Sequence, residues 1–369
     1  MLAKKYQSAK IRLFFIELAV TIIYFLVFQF SGISRLTKSY VLRFFENQAL
    51  IIIGYLFIFG IIYYLVSFPI KLYSSFLLEH KYALSNQNLS GWLKDEAKAT
   101  LISSAIFLIF VELFYYLLKI SQGLWWLWMA LIWFFFSIFF ARIFPVLILP
   151  LFYKYKDIDN LNLKQALIDL AKRSGIEVLD VFQIDLSRKT KKANAGLIGL
   201  GKTKRIVLAD NLTADYNEAQ IKTVLAHELG HYKLGHMWKL LIFGAIIGLV
   251  NFYIIFLSTN YIIRILGIPH IYDIETFPAI SLILALFSFA TLPLCNGYSR
   301  KLEREADAFS LANTKDKGAF ISCMQRLAQQ NLSDPSPNRF IEILFYDHPP
   351  ISKRIKFAQG EFLNNVKQS

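Results

Sequence analysis

An α-helical polytopic membrane fold is what this sequence predicts. A second, polar unit with a small β-sheet is expected beside it, built from two segments on one side of the bilayer. Three observations carry that reading. Apolar residues make up 56 % of the 369-residue chain against 18 % charged, and the 34 Phe and 19 Tyr far exceed ordinary usage. The apolar residues gather into runs long enough to cross about 30 Å of hydrocarbon as helices. The cations, which leave a net charge of +14, cluster between and beside those runs, as in a protein facing anionic lipid. No basic run is interleaved with a nucleic-acid-binding motif, so no nucleic-acid partner is expected. Cys295 and Cys323 are the only cysteines, which argues against a disulfide framework.

The first apolar run, residues 13–30, is a span and not a signal peptide, because no small-residue cleavage site follows it before Arg35. Runs at 49–68, 100–118, 124–141, 240–263 and roughly 277–295 make six spans in all. Pro145 and Pro150 should break the helix of the fourth, so 143–153 is expected as a separate short or re-entrant piece, the candidate for a seventh. The chain then divides into an N-terminal transmembrane region, 1–153, and a region 154–369 that includes the last two spans.

Orientation follows from the cations. Lys4, Lys5, Lys10 and Arg12 precede the first span, many more lie in 154–238, and the region after 299 is basic. The opposite side has a short connection at Lys119 and a stretch from 266 to 275 without Lys or Arg. The positive-inside rule therefore puts the N-terminus and both large polar segments in the cytoplasm. Arg35, Lys38 and Arg43 run against it.

Within the first polar segment, 162–172 has helical spacing of apolar residues, while 178–184, 193–199 and 205–209 read as strands. Residues 217–236 read as a helix with Ile221, Val224 and Leu225 on one side. The last segment, 300–369, is expected to be helical, with breakers at 333–335 and 348–350.

The informative stretch is Ala226-His227-Glu228-Leu229-Gly230-His231. On a helix, positions i and i+4 share a face, so both imidazoles can bind one ion. Glu228 sits one residue along, within reach of water at that ion without being a ligand. A catalytic zinc takes three protein ligands and keeps a position open. The third has to come from elsewhere, and the candidate is Glu303, in Ser299-Arg300-Lys301-Leu302-Glu303-Arg304-Glu305-Ala306-Asp307. If the last span continues as a helix, Glu303 and Asp307 share a face, and Asp307 can accept a hydrogen bond from the free nitrogen of a ligand histidine. Spacing leaves Glu305 open as a competitor. A transporter or scaffold with structural zinc is the rival from another class, and Glu228 argues against it, since a structural site has no use for that carboxylate.

These stretches resemble the type I CAAX prenyl endopeptidases, integral-membrane zinc proteases. The likeness extends to FPIKLYSSFLLEHKYALSNQNLSGWLKDEAK at 68–98, to 145–152, to ANAGLIGLGKTKRIVLADNL at 193–212, to AHELGHYKLGH, and to HPPISKR at 348–354. The resemblance implies Glu303 over Glu305 as third ligand, with one Zn²⁺ per chain. It also implies Asn194 and Ala195 on the edge strand that pairs with substrate backbone, and His348 and Arg354 as donors to the scissile carbonyl or its oxyanion. Gly196 departs from the pattern, which has an aromatic residue there. His236 is set aside as structural or exposed.

The family's architecture implies a ring of seven helices around a chamber, with the site near the cytoplasmic face. Its activity implies peptide-bond hydrolysis on a C-terminal CAAX peptide after a prenylated cysteine, in the bilayer, with no protein partner required. No ER retrieval tail is evident after Val366, so a bacterial inner membrane is expected, where other membrane-associated peptides are the natural substrates. A quality-control metalloprotease of the HtpX type shares the zinc motifs; four apolar runs before HELGH favour the CAAX type.

Overall fold

The apolar runs fold as long helices. The computed structural model describes residues 1–121, 123–198 and 204–360. In chain order come α1 (Leu2–Phe30), α2 (Ile33–Val41), α3 (Gln48–Leu72), α4 (Leu78–Lys81), α5 (Leu89–Ile120) and α6 (Trp125–Ile143). The first polar segment holds β1 (Tyr155–Asp157), α7 (Leu161–Arg173), β2 (Asp180–Ile184), β3 (Ala195–Ile198), β4 (Arg205–Ala209), α8 (Asp210–Asp215) and α9 (Glu218–Lys233). Two long helices, α10 (His236–Leu266) and α11 (Phe277–Thr314), return through the membrane-length region. They are followed by α12 (Lys317–Gln330), α13 (Arg339–Phe345) and α14 (Ile351–Gln359).

Six described helical runs are long and apolar enough to cross a membrane: Leu2–Phe30, Gln48–Lys81, Leu89–Ile120, Trp125–Leu151, His236–Leu266 and Ile274–Thr314. They match the six runs read from the sequence, the fourth starting one residue later at Trp125. The separate seventh piece at 143–153 does not form. Phe144–Ile148 makes a π-helical turn and Leu149–Leu151 a 3₁₀ turn, and both continue α6. The backbone stays in the right-handed helical region across both segments, so the helix changes pitch at the prolines without ending.

Part of the Phe and Tyr surplus packs among these helices, and much of the rest lies exposed on their outer faces. Phe59 of α3 meets Phe28 of α1 edge-on at 4.9 Å and Phe277 of α11 at 5.1 Å. The buried tyrosines bring their own partners: Tyr24 donates to the Phe59 carbonyl at 2.6 Å, and Tyr55 pairs with Ser34 at 2.6 Å. Two of the three cations that resisted the orientation argument are paired on α2. Lys38 lies 2.9 Å from Glu275 and 3.4 Å from Asp273, and Arg35 lies 3.7 Å from Glu275.

The polar unit is a mixed four-stranded sheet, order β1-β2-β4-β3, with β2 and β4 parallel and both other pairs antiparallel. The expected strand at 205–209 forms with those bounds, those at 178–184 and 193–199 form with trimmed ends, and Gly199 lies outside the described residues. Strand β1 gave no sequence signal: three residues are too few for an alternation to register. Leu167 and Leu170 of α7, Val181, Ile206, Leu208, and Ile221, Leu225 and Leu229 of α9 share one buried core with Phe320 and Met324 of α12. That core holds α9 behind β3, which closes the sheet on one side and leaves its outer edge without a strand among the described residues.

Candidate active site

Helix α9 is delimited at both ends by its sequence. Asn217 and Gln220 form a reciprocal capping box, side chain to backbone at 2.9 and 3.2 Å. At the other end Gly235 takes φ +67°, so α9 stops at Lys233, earlier than the 217–236 reading, and α10 starts afresh at His236. Thr223, Ala226, His227 and Gly230 make one face at i, i+3, i+4 and i+7. Facing it, α11 presents Glu303, Ala306, Asp307 and Ser310 with the same spacing, all buried. Ser310 donates to the Thr223 carbonyl at 2.8 Å. Small residues let the two backbones approach closely: a Cβ on Gly230 would sit 3.2 Å from the Ala306 Cα and 3.1 Å from the Phe309 Cβ. Backbone cannot step aside as a flexible side chain can. Gly230→Ala is therefore expected to destabilise the protein by about 1–3 kcal/mol and to part the two helices, read as a lower unfolding midpoint in detergent and a weaker metal affinity.

This helix pair brings together residues 72 positions apart. His227 Nε2 and His231 Nε2 lie 3.0 Å from each other. Glu303 of α11 places Oε2 3.1 Å from His227 Nε2 and Oε1 3.2 Å from His231 Nε2. A tetrahedral ion held at about 2.0–2.1 Å by each ligand needs ligand–ligand edges of about 3.3 Å. The three edges match that demand. Glu303 Oε2 is also buried without a directed hydrogen bond, the condition of an acceptor awaiting a cation. Two imidazoles, one carboxylate and a cleft on the fourth side suit a divalent transition metal.

The surrounding groups aim these three. Asp307 Oδ1 sits 2.9 Å from His227 Nδ1, in a bent contact, and takes Arg354 Nη2 at 2.5 Å, while its Oδ2 takes Arg354 Nε at 2.8 Å. Arg354, expected as a donor to substrate, thus spends two donors on Asp307. His348, on the turn before α14, has Nε2 3.3 Å from Glu303 Oε2 and is held at Nδ1 by Asp347 at 2.8 Å. Glu228 lies on the open side of α9, in a cavity of about 630 Å³ that Asn194, Ala195, Lys192, Tyr346, His348 and Arg354 also line. Burial pushes the Glu228 carboxyl above the usual range, with His227 and His231 opposing. Asn194 is exposed at the head of β3 and accepts from Ala195 N at 2.9 Å; no atom stands within 4 Å of a Cβ built on Gly196. All nine expected site residues thus line or adjoin one cleft.

With this geometry, comparison with known proteins gives a consistent answer. The family model for peptidase family M48 matches residues 157–361, more than half of the chain. The chain belongs to peptidase family M48. A second model, described as the CAAX prenyl protease N-terminal region with five membrane helices, matches residues 2–154. The structure has four membrane-length runs there, with the short α2 between the first two. An uncharacterised metalloprotease of Bacillus subtilis, YhfN, is 30 % identical over 363 residues, covering 97 % of this chain and 85 % of that one. CAAX prenyl protease 1 homologues of Arabidopsis thaliana and Homo sapiens are 28 % and 26 % identical, each over 79 % of this chain and 70 % of their own. The crystal structure of S. mikatae Ste24p superposes with a TM-score of 0.82 at 24 % identity, over 96 % of this chain and 87 % of that chain, and has the same fold.

As a type I CAAX-protease member of family M48, the chain is an integral-membrane metalloendopeptidase, and the family implies a metal. Several M48-site contacts escaped the sequence reading. His236, expected to be structural or exposed, is buried with Nδ1 2.9 Å from His231 Nδ1. Glu305, the competitor for third ligand, turns to His236 and Lys239 at 3.1 and 3.0 Å. Asn296 and Arg300 of α11 donate to the carbonyls of Leu344 and Tyr346 at 2.6 and 2.5 Å and hold the turn that carries His348. An Arg one turn before Glu303 on the same helix is the signal that points to them.

Proposed function

We propose that this chain is a zinc-dependent endopeptidase that cuts peptides presented at the cytoplasmic face of a membrane. The observation that carries the reading is the meeting of His227, His231 and Glu303 beside an open sheet edge, with Glu228 in the same cleft. The three would hold the ion. When bound, zinc supplies Lewis acidity, polarising a carbonyl and bringing the acidity of water towards a pKa of about 7.

The other steps belong to the chain's own groups. An extended peptide adds to the outer edge of β3, where Asn194 and Ala195 offer backbone and amide partners. Glu228 takes a proton on a carboxylate oxygen from the water whose oxygen bonds to the scissile carbonyl carbon, and returns that proton to the amine nitrogen as the C–N bond breaks. His348 donates from Nε2 to the carbonyl oxygen as negative charge develops there. Arg354 acts through Asp307, holding the His227 ring, and two of its donors are committed to that task. This assignment favours His348 over Arg354 as the oxyanion donor.

For substrate, the homologues described as CAAX prenyl proteases support a C-terminal peptide cut after a prenylated cysteine. The B. subtilis relative, which matches nearly the whole chain, supports a bacterial membrane, where other membrane-associated peptides take that place. The cation distribution, with Lys4, Lys5, Lys10 and Arg12 ahead of the first span and basic segments at 154–238 and after 299, supports a cytoplasmic N-terminus and site. The test offers farnesylated and unprenylated peptides side by side to the purified, zinc-loaded protein. Cleavage of either that stops on chelation and returns with zinc is the expected result; cleavage indifferent to chelation refutes the proposal. A preference for the farnesylated peptide identifies the CAAX substrate, and equal rates identify the broader one.

A further inference from the structure

We propose that His236 and Glu305 are positioning residues for the metal centre, fixing the ring of His231 through a chain Glu305–His236–His231. The proposal rests on the metal reading of His227, His231 and Glu303. On an unbroken helix, five residues turn the direction of a side chain by about 140°, which would point His236 away from His231. Gly235, in the left-handed conformation at φ +67°, ends α9 and restarts the chain as α10. His236 is thereby folded back against His231, with ring centroids 4.9 Å apart and planes at 77°. It is 1 % exposed, so its nitrogens must find partners inside the protein.

The protons then follow from the distances. His231 turns Nε2 to the donor set, so its neutral ring carries the hydrogen on Nδ1. That N–H donates to His236 Nδ1, 2.9 Å away, which must be the bare nitrogen. His236 therefore carries its hydrogen on Nε2 and donates it to Glu305 Oε2 at 3.1 Å, where Lys239 Nζ also donates at 3.0 Å. The other tautomer of either ring would set two N–H groups or two lone pairs against each other. His227 has its carboxylate directly, in Asp307. His231, whose side chain is 26 % exposed against 10 % for His227, is less confined by packing and receives its carboxylate through an imidazole. Orienting partners of this kind raise ligand basicity and fix the ring for the metal.

The test is zinc affinity, measured by chelator competition on the full-length protein in detergent, with the unfolding midpoint of the metal-free form taken in parallel. His236→Leu is expected to weaken zinc binding by about 10–100-fold. His236→Gln recovers part of the loss, because its carboxamide oxygen can accept from His231 Nδ1. Glu305→Ala weakens binding by about tenfold. Lys239→Ala, which removes only the other contact of Glu305, stays near wild type. Glu305 is one-third exposed, so Glu305→Ala remains informative where His236→Leu fails to fold. Wild-type zinc affinity in a folded Glu305→Ala or His236→Leu protein overturns the chain of contacts alone. A His236→Gln protein no better than His236→Leu does the same, since a packing role would not discriminate them. A wild-type protein that binds no zinc overturns the metal reading and this proposal together.

Discussion

Glu228→Gln is expected to keep its metal and lose peptidase turnover by a factor on the order of 10²–10⁴. The amide has the shape of the carboxylate and no oxygen basic enough to take a proton from water. Glu228 is absent from the triangle of donor atoms, so nothing that holds the ion is removed. It lies on the cleft side of α9, one residue from His227, with its carboxyl raised by burial, which suits a group that must accept a proton and give it back. Zinc content by elemental analysis and peptide hydrolysis by mass spectrometry separate the two properties. A Glu228→Gln protein with near-wild-type turnover removes the general base from the account, while one that has lost its zinc assigns Glu228 to the metal instead.

Asp307→Ala is expected to cost about 3–5 kcal/mol of stability, the largest effect of any single change outside the ligands. Asp307 is 1 % exposed and Arg354 is 8 % exposed. Their two hydrogen bonds are the main offset to the desolvation of the guanidinium, with Glu303 adding a smaller attraction, and removing the carboxylate leaves a buried charge without its hydrogen-bonded partner. The same change takes the partner of His227 Nδ1 away, so zinc affinity falls with it. The paired variant Asp307→Leu with Arg354→Met separates these effects. Replacing both charges by apolar groups restores stability, because a buried ion pair is close to neutral against a hydrophobic isostere. It leaves zinc affinity low, because the orienting carboxylate is still missing. Unfolding of the metal-free forms in detergent gives the first quantity and chelator competition the second. Recovery of both would make Asp307 a packing residue only.

The helical membrane architecture is legible in the sequence because hydrocarbon leaves a chain few choices: every apolar run has to satisfy its own backbone, and only a helix does so within one segment. Prolines mark where that legibility ends. Pro145 and Pro150 look like breakers in isolation, yet a π turn followed by a 3₁₀ turn carries the helix past both. Pitch changes depend on neighbouring packing and leave no periodic trace.

At the site, the i, i+4 histidines and the carboxylate between them follow from helix geometry alone. The place of Glu303 requires the resemblance, because spacing treats it and Glu305 alike. The structure separates the two by rotation: Glu303 lies on the α11 face that meets α9 through Ala306 and Gly230, whereas Glu305 lies two residues round, towards α10. The contacts of His236 escape sequence reasoning for a related reason. A single left-handed residue, Gly235, reverses the direction that helical periodicity assigns to it. Glycine just after a Lys-ended amphipathic stretch is a helix-stop signal, and applied here it ends α9 where the structure ends it. Arg354 shows the limit of the resemblance: its position carries over, while the carboxylate that occupies two of its donors is visible only in three dimensions.

The metal content of the purified protein, wild type against Glu303→Ala, bears most directly on whether α9 and α11 together hold one ion. One zinc per wild-type chain and a fall to background in the folded variant is the result expected from the triangle His227, His231, Glu303. Stoichiometric, tightly held zinc in Glu303→Ala would mean that the helix after the last membrane crossing contributes no ligand, and the assignment of the site to these two helices would be wrong.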